Sequence, residues 1–433
     1  MRKNKIDIIS LGCSKNLVDS EHLIHQFQAN GYSVERKPSR VEGEREVVST
    51  CGFIRDAQEE SIDMILELGR AKKEGKIKKL FVMGCLAERF MAQLIDELPE
   101  VDKFYGKFNW KEMLNDLGKS YKEDLSSERY LTTPKHYAYL KILEGCTRFC
   151  AFCAIPLITG RHKSVPMDTL LNEVKHLVSQ GVKEFNVIAQ DLSSYGLDLY
   201  GKMMLPELID QMAQIEGVEW IRLHYAYPTQ FPYDILPVMA KHDNVCKYLD
   251  IALQHSSDKV LNNMQRHITK AETIELIKRI RKEVPGIHIR TTLMVGFPGE
   301  GEEEFNDLVD FVEEMRFERM GAFAYSEEEG TFAAKHFDDI IPEDVKADRL
   351  DKIMEIQEKI SDEIQSKKVG NIYKVIIDSV DEMYYSGRTE WDSPEVDPEV
   401  LIPVENGKLE IGNFYQVEIT DATPFELFGK VVE

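Results

Sequence analysis

The opening quarter of the chain alternates short apolar runs with stretches whose apolar residues recur every three or four positions. The runs at 5–10, 46–50 and 80–83 have strand length, and amphipathic helical spacing follows each of them, at 17–28, 55–72 and 87–98. Strand–helix alternation predicts a parallel sheet covered by helices. A polar stretch, 111–135, then breaks the pattern and ends in Thr-Thr-Pro-Lys, where a domain linker is expected. The alternation resumes with strands predicted at 139–143, 184–189, 220–225, 248–252, 287–294 and 319–324. Six such units predict a partial barrel of six parallel strands, too few for a closed eight-stranded one. A long charged helix is expected over 342–368 as a connector. Strand-like runs at 373–377, 400–403 and 415–420 then form a small all-β module. The expected units are 1–130, 136–366 and 367–433.

Hydrophobic residues make up 43% of the 433-residue chain and charged residues 30%, which excludes wholesale disorder. No run approaches the ~18 apolar residues of a membrane-spanning helix. The N-terminal apolar run is too short and interrupted for a signal-peptide core and reads better as a strand. A cytoplasmic protein with no membrane partner is expected. The net charge of −22 repels phosphate backbones, so nucleic acid is not expected as the direct substrate. Residues 367–433 hold 6 basic and 14 acidic residues, −8 of that −22, so the β module is disproportionately acidic. Such a surface suits a basic partner by charge complementarity, the plainer reading being solvated surface. Seven cysteines in a cytoplasmic chain point to free thiols, metal ligands or a catalytic thiol rather than disulfides.

Spacing chooses among these. Glu144-Gly-Cys146-Thr-Arg-Phe-Cys150-Ala-Phe-Cys153 is a C-x3-C-x2-C directly after the first strand of the larger α/β unit. Three thiolates so spaced can fold around one face of a cubic iron–sulfur cluster and leave the fourth iron open to a small molecule. Structural zinc asks for a fourth ligand, and His162, nine residues on, is poorly spaced to be one. Chance packing of three thiols is the remaining alternative. A second constellation is dispersed: Cys13, Cys51 and Cys85 each stand just past the carboxyl end of a predicted strand. In a parallel sheet those ends share one edge, where ligands bind. Three thiols there could hold a second cluster, again one ligand short, although cysteine is also common near strand ends for packing reasons. Cys246 has no partner at ligand spacing and reads as a core thiol.

The cysteine triplet, with Phe152 before its last member and a βα partial barrel after it, resembles the radical S-adenosylmethionine enzymes. In that family the cofactor's amino and carboxylate groups bind the open iron, and its cleavage gives a 5′-deoxyadenosyl radical. With Leu11-Gly-Cys-Ser-Lys-Asn, Ser49-Thr-Cys-Gly-Phe-Ile, Met83-Gly-Cys-Leu-Ala-Glu-Arg and Thr291-Thr-Leu-Met-Val-Gly-Phe-Pro-Gly-Glu300, the whole chain resembles the methylthiotransferase family within that group. The resemblance implies a flavodoxin-like N-terminal sheet, a partial (β/α)6 barrel and a C-terminal TRAM barrel. It also implies two 4Fe-4S clusters with three cysteines each, S-adenosylmethionine, an electron donor and a sulfur donor. Two branches dominate the family: one modifies an adenosine of tRNA, the other the β-carbon of an aspartate in small-subunit ribosomal protein twelve. Leu11 to Glu21 and Gly387-Arg-Thr-Glu-Trp-Asp-Ser-Pro-Glu-Val-Asp397 resemble the second branch, and the acidic module agrees with a basic ribosomal protein as partner. A rival of another class is a non-catalytic iron–sulfur carrier. It fits less well, because simple carriers fill all four positions of a cluster.

Further cofactor contacts are expected from Phe152 near the adenine, from Gln190 and Gln254 at strand ends, from Arg266 toward a carboxylate, and from Gly296 in Gly-Phe-Pro-Gly. Arg266 could equally be a surface charge, and Gly296 an ordinary turn glycine. His255 sits beside Gln254, and Tyr325 to Thr331 follow the sixth strand and are expected to face the substrate. Ser49, Val165, Gln265 and Gly301 depart from the family's usual Asn, Arg, Arg and Thr. None of the four is an expected cluster ligand.

Overall fold

The computed structural model describes residues 2–36 and 43–432. In the N-terminal unit β1 (Arg2–Ser10), β2 (Ser33–Arg36), β3 (Gly43–Thr50), β4 (Lys79–Gly84) and β5 (Lys103–Phe104) pair in the order β2-β1-β3-β4-β5. Every pairing is parallel. This is the doubly wound order of flavodoxin-like folds, which opens a crevice at the carboxyl ends of the strands. Ile6, Ile8, Val47, Val48, Leu80 and Val82 are fully buried, as a sheet covered on both faces requires. The apolar pattern had missed β2, which is short and polar, and β5, which has only two residues.

The second unit holds β6 (Tyr137–Lys141), a two-strand ladder of β7 (Leu143–Glu144) and β8 (Lys163–Ser164), then β9 (Glu184–Ile188), β10 (Trp220–Ala226), β11 (Val245–Ile251), β12 (His288–Val295) and β13 (Arg319–Ala324). Six of these form a parallel sheet in the order β13-β12-β11-β10-β9-β6, whose first and last strands stay unpaired with each other, so the barrel is partial. The connector helix Glu343–Ser366, expected within this unit, packs on it: Ile353 and Ile360 are buried in its core, and Gln357 donates to the Phe317 carbonyl at 3.0 Å. One expectation needs correction. The stretch 111–135, read as a linker, is stitched down. Gln26 and Asn30 donate to the carbonyls of Lys122 and Ser120 at 2.9 and 3.0 Å, and Arg129 pairs with Glu21 and Glu173, both at 3.1 Å.

The last unit is a closed barrel in the order β14-β15-β16-β18-β17, from β14 (Ile372–Val380), β15 (Tyr384–Arg388), β16 (Glu399–Pro403), β17 (Phe414–Ala422) and β18 (Glu426–Val431). β15 and β18 escaped the sequence pattern because each carries a glycine, Gly387 and Gly429, where a neighbouring strand comes close. A Cβ on Gly387 would lie 2.5 Å from the Ile376 carbonyl oxygen.

This barrel seals the amino-terminal end of the partial barrel with charge. Arg388 donates to Glu184 at 2.7 Å and to Asp378 at 2.5 Å, and Asp378 also meets His136 at 2.7 Å. Arg319 meets Asp392 at 2.6 Å, Arg290 meets Asp397 at 3.4 Å, and Trp391 stacks on His288 with ring centres 4.6 Å apart. Part of the module's acidity is therefore spent inside the molecule, while Asp381, Glu382, Glu399, Glu405, Glu410, Asp421 and Glu426 stay exposed. Burial alone would raise the Glu184 and Asp378 carboxyls, but Arg388 outweighs it and holds both below the ordinary carboxylate range.

Removing one partner of a buried pair strands the other, so Arg388→Met should cost about 3–5 kcal/mol in urea unfolding and expose the terminal barrel to proteolysis near residue 367. Because the carboxylate pKa values are depressed, the stabilisation is present above the ordinary carboxylate range and disappears as pH falls through the folded-state values. The wild-type stability difference should therefore shrink toward that of Arg388→Met in acid, and a pH-independent difference would contradict the assignment.

Candidate functional site

Cys13 follows β1, Cys51 follows β3, and Cys85 opens the helix after β4. What draws these three strand ends together is Asn16, which is buried. Its Nδ2 donates to the carbonyls of Leu11 at 3.1 Å and Thr50 at 2.9 Å, and its Oδ1 lies 3.5 Å from the Cys85 thiol. One side chain thus touches all three loops. Glycine permits the approach. A Cβ on Gly12 (φ +86°) would sit 2.7 Å from the Cys51 Cβ, and one on Gly84 (φ +101°) 2.6 Å from the Thr50 carbonyl oxygen.

Cys146, Cys150 and Cys153 lie on the loop between β7 and β8. Hydrogen-bond donors approach two of their sulfurs: Arg266 Nη1 stands 3.3 Å from Cys150 Sγ, the Tyr227 hydroxyl 3.4 Å from the same sulfur, and the Arg148 amide donates to Cys146 Sγ at 3.5 Å. Donors aimed at sulfur favour a thiolate and are what a metal-bound cysteine needs around it. Burial pushes the Cys146 thiol up to about 11 and Cys85 to about 12, and raises Cys51 and Cys153 as well. At neutral pH these sulfurs keep their protons until a metal displaces them.

The two sets share one cavity of about 340 Å³ between the first and second units, lined by all six cysteines together with Phe152, Gln190, Gln254 and Arg266. Lys15, Lys107, Arg148 and Arg266 line it too, and among the described residues no carboxylate does. Lys107 and Arg148 are paired with carboxylates behind the wall, whereas Lys15 and Arg266 have no ion pair among the described residues, so these two cations make the chamber suited to an anionic occupant. No three His, Cys, Asp or Glu side chains among the described residues close around a point fit for one metal ion; the thiols surround a volume instead. A slightly larger cavity, about 430 Å³, lies between helix Glu343–Ser366 and the terminal barrel, but no cysteine or histidine lines it.

Backbone strain collects at the shared cavity. Tyr225 (φ +66°) and Gln254 (φ +74°) line it in the left-handed region, and Phe149 (φ +52°) and Gln265 (φ +57°) adjoin lining residues. For bulky side chains such conformations cost of order 1–3 kcal/mol each and persist where the surroundings over-determine them. The Oε1 atoms of Gln190 and Gln254, Nε of Arg266 and Nη2 of Arg148 are buried without hydrogen-bond partners among the described residues.

Behind the cysteines four charges join the two units. Lys107 and Asp19 belong to the N-terminal unit, Glu144 and Lys141 to the partial barrel. Lys107 meets Glu144 at 2.9 Å and Asp19 at 3.6 Å, Lys141 meets Glu144 at 2.7 Å, and Lys141 also pairs with Asp19. Burial would raise Glu144, but Lys141 and Lys107 hold it down at about 2. Gln190 donates to Glu144 at 2.5 Å, so its amide belongs partly to this network. A second tie is Arg89, which reaches the Gly52 carbonyl at 2.9 Å and Glu328 at 2.8 Å.

Several expected residues sit elsewhere. Gly296 does not line the cavity. Its φ of +74° and the approach of Lys346, whose Cγ would lie 2.5 Å from a Cβ there, account for the glycine. His255 is fully buried and pairs with Glu300 at 3.0 Å, and Val165 packs against the barrel core. Tyr325 packs on Phe297 with ring centres 4.9 Å apart, and Glu328 is taken by Arg89, so the segment Tyr325 to Thr331 joins units rather than lying free. Arg266 is 3% exposed and not a surface charge, and Cys246 is a core thiol against Trp220 and Tyr248. The sequence reading overlooked Asn16, Lys15 and Tyr227. Asn16 and Lys15 stand in the Leu11-Gly-Cys-Ser-Lys-Asn motif and could have been taken from it.

Three family models match the chain: the radical SAM superfamily over residues 140–312, the uncharacterized protein family UPF0004 over 5–106, and the TRAM domain over 369–432. The ribosomal protein uS12 methylthiotransferase RimO of Parabacteroides distasonis is 63% identical over 432 residues, covering 100% of both chains. Its namesakes from Bacteroides thetaiotaomicron and Flavobacterium johnsoniae are 62% and 50% identical, covering at least 98% of either chain. Among solved structures, the radical S-adenosylmethionine methyltransferase TsrM from Kitasatospora setae superposes with a TM-score of 0.58 at 12% identity, covering 77% of each chain. The cobalamin-dependent radical enzyme OxsB gives 0.52 at 12% identity, over 82% of this chain and 56% of that one. These two likenesses are of fold.

The thiol environments make an ordering testable in metal-free protein. With iodoacetamide at mildly alkaline pH, exposed Cys13 should alkylate first, and Cys85 and Cys246, both pushed up to about 12, at least about 100-fold more slowly. Peptide mass spectrometry reads the order, and equal rates would contradict the geometry.

Proposed function

The chain belongs to the RimO family of ribosomal protein uS12 methylthiotransferases, and we propose that it adds a methylthio group to the β-carbon of an aspartate in that small-subunit protein. As a radical SAM enzyme it works with a [4Fe-4S] cluster and S-adenosylmethionine. In our reading Cys146, Cys150 and Cys153 hold that cluster, while Cys13, Cys51 and Cys85 hold a second one. The observation that carries this is the convergence of six thiols, from two separate units, on one cavity. The donors around Cys150 and Cys146 fit metal-bound thiolates.

When bound, the cofactors supply a primary alkyl radical able to take hydrogen from an unactivated carbon, and a sulfur to replace it. The chain's own residues do the positioning. Phe152 offers a ring face for the adenine, and Gln254 has a free acceptor at the cavity wall. Arg266 keeps its guanidinium pinned between the Tyr227 ring, 4.1 Å away, and Cys150, where it can hold negative charge on the sulfur or on a carboxylate. The two units together wall the chamber, each contributing three of its thiols.

The division at 1–130, 136–366 and 367–433 follows from the same reading. Each outer unit serves the middle one, the first by bringing three thiols and the last by sealing the opposite end. The exposed carboxylates of the terminal barrel suit a basic ribosomal protein, and the same charge disfavours RNA. An external electron donor and an external sulfur donor complete the reaction.

Anaerobic reconstitution should yield about eight irons per chain, falling to about four when Cys13, Cys51 and Cys85 are all replaced by Ala. The wild-type protein should add the mass of one methylthio group to uS12. An unchanged iron content in the triple variant would remove the second cluster from the scheme.

A further inference from the structure

Four cations line the chamber, and three of them are engaged. Lys107 is paired with Glu144 and Asp19, Arg148 with Asp191 at 2.7 Å, and Arg266 with Cys150 and the Ala252 carbonyl. Lys15 differs. Among the described residues its ammonium has no ion pair and no hydrogen-bond acceptor. Its contact is the face of Tyr225, 3.4 Å from the ring centre. Tyr225 is also one of the strained residues of the wall, held at φ +66°. An ammonium at the end of a half-buried side chain, resting on an aromatic face in a chamber lined by no carboxylate and with the buried Asp250 acting on it only from beyond ion-pair distance, is an anion site with its acceptor still to come.

We propose that Lys15 receives the side-chain carboxylate of the substrate aspartate and thereby selects aspartate over uncharged residues. The inference rests on the proposed uS12 reaction and deepens it. Two carboxylates could enter this chamber, that of the substrate and that of S-adenosylmethionine. Chain position favours the substrate. Lys15 stands two residues from Cys13, in the first turn of the helix that Cys13 caps and so beside the dispersed thiol set, whereas Arg266 stands against Cys150 in the compact set. The carbon to be modified is one bond from the carboxyl group, so the cation that holds that group must lie beside the sulfur to be transferred. Tyr225 serves as the platform on which the ammonium rests.

The test uses reconstituted holoenzyme, full-length uS12, and a uS12 variant with asparagine in place of the target aspartate. The enzyme variants are Lys15→Met and Lys15→Arg. Loss of a charge-assisted contact should raise KM for uS12 about 10- to 100-fold in Lys15→Met, with substantial recovery in Lys15→Arg. Binding of uS12 measured by fluorescence anisotropy should weaken in parallel. Wild-type enzyme should bind the aspartate form more tightly than the asparagine form, and Lys15→Met should bind both alike. A structural role for Lys15 would weaken both forms equally and leave the preference intact, which would overturn the proposal. So would weaker binding of S-adenosylmethionine by equilibrium dialysis with uS12 binding unchanged, since the carboxylate would then be the cofactor's. If wild-type enzyme leaves uS12 unmodified, it is the underlying reaction that fails; if it modifies uS12 and Lys15→Met keeps the wild-type preference, only this assignment does.

Discussion

The site depends on a charge network that neither half of the molecule can complete alone. Asp19 and Lys107 come from the first unit, Lys141 and Glu144 from the second, and all four lie in the low-dielectric seam behind the cysteines. Buried charges are costly unless paired, and here each cation has one carboxylate on its own body and one on the other. The network therefore fixes how the two units meet. Glu144 is two residues before Cys146, and Asp19 is on the helix that Cys13 caps, so the register of the seam is also the register of the two thiol sets.

Within that frame the first unit solves a local problem. Parallel strands bring their carboxyl ends to one edge but leave them spaced by the sheet. Asn16 closes the remaining distance by bonding to two loops from the root of the third, and glycines remove the side chains that would hold them apart. The compact triplet needs no such device, because its spacing within one loop already gathers it. Two routes to a three-thiol site coexist in one chain, one set by sequence and one by topology.

That contrast explains what was legible beforehand. The six cysteines stood out because their spacing and their place after apolar runs are properties of sequence, and the helices and central strands followed from periodicity for the same reason. The strands that escaped were short, polar or glycine-bearing, so they carried no alternation to read. Asn16, Lys15 and the Lys107–Glu144 pair could not be weighed from the sequence, since a polar residue's role depends on what is buried against it, and their partners lie up to 69 positions away or on another unit. Gly296 erred the other way: the turn glycine was real, but it meets Lys346 and not the chamber. The acidity of the terminal barrel likewise mixed two populations, carboxylates facing water and carboxylates consumed beneath the partial barrel.

Those consumed carboxylates have a consequence for how the polypeptide is made. Glu184, Arg222 and Arg319 sit near the starts of central strands, and they find counter-charges or carbonyls on Arg388, Glu390 and Asp392. During synthesis the six strands of the central sheet, the last ending at Ala324, are made before those residues. Until the last stretch emerges, its floor holds charged groups whose final partners have not been translated, and the nascent barrel can close only loosely around water. Docking of the terminal barrel is then also the event that pairs the charges of the floor, at the end of the barrel opposite the rim that carries the thiols. A chain lacking residues 367–433 would keep every cysteine and lose the counter-charges beneath the barrel that holds them.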